Sequence, residues 1–132
     1  MEIKIYQKDQ LENNKEVLAS AIESFDYGNH DYCIKIVEGS HVIALVSEEA
    51  EVVGFGRIVG DGVRFSYIVD LNIAESCRRK GYGTKLVQEL AKSVKTTYIE
   101  TTNDPNFQWL KDFYLKAGFK LSEGEDVFEW SK

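Results

Sequence analysis

One glycine-rich turn, where the hydrophobic period switches, constrains this chain more than any other feature. Before it, from His41 to Ile73, the pattern is that of strands: Val42 to Val46, Val52 to Val59 and Arg64 to Ile73 are three apolar, β-branched runs. Short gaps at Ser47-Glu48-Glu49 and Gly60-Asp61-Gly62 separate them, which is the mark of antiparallel hairpins. After the turn, Arg78-Arg79-Lys80-Gly81-Tyr82-Gly83, the period becomes helical, with Leu86, Val87, Leu90, Ala91 and Val94 on one stripe. Thr97 to Thr101 then reads as a short strand. Strand, helix and strand in that order imply a right-handed parallel crossover. An antiparallel meander therefore passes into a parallel pair at this turn.

The flanks fit around that unit. Ile3 to Tyr6 alternates like an edge strand. Asp9 with Glu12 resembles a capping box, opening a helix that carries Leu11, Leu18, Ile22 and Phe25. Asp26-Tyr27-Gly28-Asn29-His30-Asp31 is a polar loop beside a short second helix. Asp104-Pro105 suits a helix start, Phe107, Leu110, Tyr114 and Ala117 share a face, and Gly118 ends the helix. Phe119 to Leu121 and Val127 to Trp130 read as a closing hairpin. No repeat or linker interrupts the 132 residues, so we expect one domain over residues 1–132. The expected class is α+β: a central mixed, mostly antiparallel sheet of six to seven strands with helices on both faces.

Charge and cysteine usage narrow the function. The net charge is −6, and Arg78-Arg79-Lys80 is the one dense basic cluster, which argues against a nucleic-acid partner and suits a small phosphorylated ligand. An acidic surface favours cationic acceptors. Cys33 and Cys77 lie far apart and form no CxxC, so they read as reduced thiols of a cytoplasmic protein. With His30 and His41 they give no metal-ligand spacing. Met1-Glu2-Ile3-Lys4 has no signal-peptide core, and no apolar run approaches the ~20 residues of a membrane span.

The turn itself has a definite chemistry. Backbone N–H groups at a helix start are unpaired and point outward, and the helix dipole adds partial positive charge. Glycines let that backbone approach an anion, and the preceding cations attract it, so the turn reads as a phosphate cradle. It is no nucleotide P-loop, because Gly81-x-Gly83-Thr84 lacks that spacing and its lysine. Nor is it a dinucleotide fingerprint, whose third glycine is here Leu86.

The turn does resemble the pyrophosphate loop of the GNAT acyltransferase superfamily, Arg/Gln-x-x-Gly-x-Gly/Ala, through Arg78, Gly81 and Gly83. The resemblance extends upstream over Tyr67-Ile68-Val69-Asp70-Leu71-Asn72-Ile73 and downstream into Phe113-Tyr114-x-x-x-Gly118-Phe119. It implies a small N-acetyltransferase that moves an acetyl group from acetyl-CoA to a primary amine by direct attack, without a metal. The resemblance assigns the pantetheine to backbone groups of the Leu71-Asn72-Ile73 segment, on a strand that splays from its parallel neighbour. It assigns the pyrophosphate to the turn, Arg78, Arg79, Lys80, Gly81, Tyr82, Gly83 and Thr84. Tyr114 matches the general acid that protonates the departing thiolate. The family's asparagine contact has no residue in register, since Phe107 stands there; Asn106 is the nearer substitute and Asn103 the farther.

The base and the acceptor are less marked. Some members of the family carry Glu where Tyr67 stands, so a water relay is expected, with Asp70 accepting the proton and Glu100 also near the parting strands. Asp26, Tyr27, Asp31 and Tyr32 would form the acceptor wall, where carboxylates and aromatics suit a cationic amine. A small-molecule amine is favoured over a protein amine. The alternative is a non-catalytic acyl-CoA-binding regulatory module, which keeps the turn and loses the chemistry. Trp109 and Phe113 read as core or as the seam of a homodimer.

Overall fold

The computed structural model describes residues 1–100, 108–121 and 127–131. Four strands, β1 (Glu2–Tyr6), β2 (Val42–Glu48), β3 (Glu51–Gly60) and β4 (Ser66–Ile73), pair antiparallel in sequence order. β5 (Thr96–Glu100) joins β4 in parallel. β6 (Lys120–Leu121) and β7 (Val127–Ser131) complete a single sheet in the order β1-β2-β3-β4-β5-β7-β6. The crossover between β4 and β5 is α4 (Tyr82–Lys92). α1 (Lys8–Leu11), α2 (Lys15–Glu23) and α3 (His30–Glu38) follow β1, and α5 (Gln108–Ala117) precedes β6.

Both faces of the sheet are covered, which explains why Val42 to Val46 is apolar without alternation. Val42, Ala44 and Val46 pack toward α4 with Leu86 and Leu90, whereas Ile43 and Leu45 pack toward α2 and α3 with Leu18, Ile22, Val37 and Phe55. Each buried Leu or Ile of these two clusters contributes roughly 1.5–3 kcal/mol relative to exposure.

Local structure departs from the sequence reading at three places. The first helix opens at Gln7, whose amide donates to the Gln10 side chain at 2.8 Å, and not at Asp9 with Glu12. It lasts one turn because Asn14 Nδ2 donates to the Gln10 carbonyl at 2.7 Å, so a side chain competes with the helix for that acceptor. β2 runs on through Glu48, and the hairpin turns at Glu49 and Ala50, with φ of 52° and 67°. β4 begins at Ser66, not Arg64, because the Asp61 carboxylate accepts from the amides of Val63, Arg64 and Phe65 at 2.9–3.0 Å. Those three bonds hold the segment as a turn and keep the Asp61 carboxyl below its usual range.

Candidate functional site

β4 and β5 share a short ladder, Tyr67 with Tyr98 and Ile68 with Ile99. Beyond it β4 continues to Ile73 with no partner on that side among the described residues. Its other edge stays on β3, where Val69 pairs Arg57 and Asn72 pairs Phe55. One more residue is used on β4 than on β3 across this step, a bulge at which Asp70 adopts φ 57°. The bulge keeps Leu71 and Ile73 on the α4 side, against its core. Asp70 lies on the opposite side, where its carboxylate accepts from Arg57 Nε at 2.7 Å.

A cleft of about 1440 Å³ opens along the parted strands. Its walls are β4 from Tyr67 to Ile73, the turn residues Arg78, Arg79, Gly81, Gly83 and Thr84, and Trp109, Leu110, Phe113 and Tyr114 of α5. At the turn Arg79 and Gly81 both adopt left-handed backbone, φ 66° and 82°. A Cβ on Gly81 would meet nothing within 4 Å, so its glycine serves conformation alone. At Gly83 the backbone is helical and a Cβ would lie 3.4 Å from the Phe113 ring, at ordinary contact distance on the cleft wall. Arg78 Nε donates back to the Ile73 carbonyl at 3.0 Å, fixing the arginine at the end of β4.

Tyr114 is 6% exposed and packs between the rings of Phe113 and Phe119. Burial pushes its phenol pKa up, so the hydroxyl stays protonated at neutral pH. On the α3 side of the sheet, Tyr27 stacks edge-on to Phe55 at 5.1 Å. Burial, then the Asp70 charge, raise the Tyr27 pKa, and the neighbouring Asn72 side chain opposes them.

A model of the acetyltransferase (GNAT) family matches residues 5–119. The chain belongs to this family. It is therefore an acyltransferase by family, and its mixed α+β fold is the family's fold. Solved structures agree. A GNAT-family acetyltransferase from Streptococcus pneumoniae TIGR4 is 26% identical, with TM-score 0.63 over 91% of this chain and 87% of that one. The aminoglycoside 6′-N-acetyltransferase from Enterococcus faecium is 20% identical, with TM-score 0.62 over 98% and 96%. An aminoglycoside 6′-N-acetyltransferase complexed with coenzyme A is 19% identical, with TM-score 0.65 over 98% and 96%. No curated protein sequence matches.

Against this geometry the expected residues divide. Asp70, Leu71, Asn72, Ile73, Arg78, Arg79, Gly81, Gly83, Thr84 and Tyr114 come together around the cleft. The side chains of Lys80 and Tyr82 do not: the Lys80 Nζ lies 3.9 Å from Glu48, and the Tyr82 hydroxyl donates to Glu48 at 2.6 Å. Of the acceptor-wall residues, Tyr27 packs on Phe55 near Asp70 and Asn72, while Asp26, Asp31 and Tyr32 are exposed on the loop and the start of α3; none of the four lines the cleft. Asp70 is committed to an ion pair with Arg57. Trp109 and Phe113 both face the cleft. Asn103, Asn106 and Phe107, the expected helix start at Asp104-Pro105, and the Glu100 side chain lie outside what the structure describes. The sequence reading missed Arg57 and Glu48. Arg57 had a signal, a lone cation inside the apolar run Val52 to Val59, where a charge requires a partner; Glu48 had none.

Proposed function

We propose that this chain transfers an acetyl group from acetyl-CoA to a primary amine by direct attack, with a small cationic amine favoured over a protein amine. The observation that carries the reading is the parted β4–β5 edge ending at the Gly81–Gly83 turn. It leaves main-chain groups of β4 with no strand partner among the described residues, beside a helix N-terminus. Pantetheine amides would pair with the Leu71-Asn72-Ile73 edge, and the pyrophosphate with the amides from Arg79 to Thr84, with Arg78 and Arg79 adding charge. The side chains of Lys80 and Tyr82 take no part in this contact.

In the reaction the amine nitrogen attacks the thioester carbonyl, whose oxygen is polarised by a backbone N–H of the Leu71–Ile73 segment. Collapse breaks the carbon–sulfur bond, and the Tyr114 hydroxyl gives its proton to the departing thiolate. A thiol with a pKa near ~8.5 leaves fairly well unaided, so this acid adds toward the low end of the ~10²–10⁴ range. The larger demand is deprotonation, since an ammonium with a pKa near ~10 is about a thousandth neutral at pH 7. Asp70, held by Arg57, would act through water, with Tyr27 and Asn72 beside it. The aminoglycoside acetyltransferases among the structural relatives support a small polyamine-like acceptor.

The test is release of free coenzyme A thiol from acetyl-CoA against a panel of aminoglycosides, polyamines and lysine peptides. We expect turnover with at least one small amine. Absence of turnover across the panel, with folded protein, refutes the reading.

A further inference from the structure

The glycine turn has few internal supports. Residues 78 to 81 are exposed, Arg79 and Gly81 are left-handed, and nothing packs against the position where a Gly81 side chain would be. Backbone of this kind keeps one orientation only if its flanks are tied down. On the β4 side the tie is the Arg78 bond to the Ile73 carbonyl. On the α4 side it is a carboxylate from a distant hairpin.

That carboxylate is Glu48, the last residue of β2. Its Oε2 accepts from the Tyr82 hydroxyl at 2.6 Å and from the Cys77 thiol at 3.7 Å, and its Oε1 lies 3.9 Å from Lys80 Nζ. The three partners bracket the turn: Cys77 ends the helical turn before it, Lys80 lies within it, and Tyr82 stands between its two glycines. The Lys80 ammonium also lies 5.9 Å from the centre of the Tyr82 ring. The Tyr82 bond holds the Glu48 carboxyl below its usual range, and the same bond pushes the Tyr82 phenol up to about 12, so the donor and acceptor forms persist across neutral pH.

We propose that Glu48 is a positioning residue for donor binding: through Tyr82, Cys77 and Lys80 it fixes the amides of the Gly81–Gly83 turn in the orientation that receives the donor's phosphates. This rests on the reading of the turn as the acetyl-CoA site. Glu48 does not line the cleft and touches no reacting atom. Its influence belongs in donor affinity and not in the chemical step. The pairing also turns Lys80 away from the cleft, which leaves Arg78 and Arg79 as the turn's cations there.

The experiment is a double-mutant cycle of Glu48→Ala and Tyr82→Phe, with Glu48→Gln as the conservative variant, read by calorimetric titration with acetyl-CoA and by steady-state kinetics. Loss of a charge-assisted bond corresponds to about a tenfold rise in Kd and in donor KM for each single variant. Because Tyr82→Phe removes a bond that Glu48→Ala also removes, the double variant should be about as weak as Glu48→Ala alone, about tenfold and not about a hundredfold. Glu48→Gln keeps an acceptor for the phenol and should recover most of the loss. The kcat at saturating donor should stay within about twofold of wild type. Should Glu48→Ala fail to fold, Tyr82→Phe and Glu48→Gln carry the test. Unchanged or tighter donor binding in folded variants, or a lowered melting midpoint with an unmoved KM, overturns the proposal while wild-type binding leaves the parent reading standing. A wild-type protein that binds no acetyl-CoA removes both.

Discussion

Replacing Gly81 and Gly83 by alanine one at a time separates a ligand-binding turn from an ordinary helix cap. At Gly81 the added methyl meets open space, so the cost is that of a left-handed residue at φ 82°, about 1–2 kcal/mol of stability. At Gly83 the backbone is helical and alanine gains up to ~1 kcal/mol in propensity. Its Cβ then sits 3.4 Å from the Phe113 ring, at the edge of ordinary contact, so folding stability should change by under ~1 kcal/mol. The same methyl projects into the cleft lining. Crowding there costs about 1–3 kcal/mol, which weakens acetyl-CoA binding roughly tenfold to hundredfold. Urea denaturation gives the stabilities, and calorimetric titration gives the affinities. The expected pattern is Gly81→Ala less stable, and Gly83→Ala equally stable but weaker for the donor. Wild-type donor affinity in Gly83→Ala would mean that the glycines are only a helix cap.

Tyr114→Phe should lower kcat about 10²-fold with donor Kd unchanged, read by thiol release and titration; an unchanged kcat removes Tyr114 as the acid. Arg57→Ala breaks bonds to Asp70 at 2.7 Å, Ser40 Oγ at 3.2 Å and the Ile36 carbonyl at 3.4 Å, and should cost about 2–3 kcal/mol in urea denaturation. A loss under ~0.5 kcal/mol would show that the bulge does not depend on it. His30 bonds Glu16 at 2.6 Å and lies 3.3 Å from Glu23; the Glu16 bond leads in raising its pKa above the ordinary 6.5. Because the folded pKa is the higher one, this contribution is fully present below 6.5 and is lost as pH rises through the folded value. An NMR titration should place the His30 midpoint above 6.5, and His30→Gln should flatten stability across that window; a midpoint at or below 6.5 contradicts the assignment.

The central unit was legible because its signals are local. The change of period at Gly83, the amphipathic stripe of α4 and the run of β4 into the turn each follow from spacing, and the turn's chemistry follows from a helix start with glycines. What was not legible depends on side chains reaching across the fold. Lys80 and Tyr82 read as donor contacts because they sit in the turn, yet Glu48, 34 residues before Tyr82 in the chain, draws them away. Asp70 read as a proton acceptor through water, and its ion pair with Arg57 on the neighbouring strand went unseen because it forms across a bulge that no periodicity announces. The capping box at Asp9 and Glu12 failed for a local reason instead: the Gln7 amide takes the Gln10 side chain, so the helix opens ahead of Asp9.

Titration of the purified wild-type protein with acetyl-CoA by calorimetry at low salt tests the anion site most directly. Saturable binding at one site is expected, weakened as ionic strength rises because charged phosphates are recognised at an exposed turn. A folded protein that shows no saturable heat at low salt would contradict it.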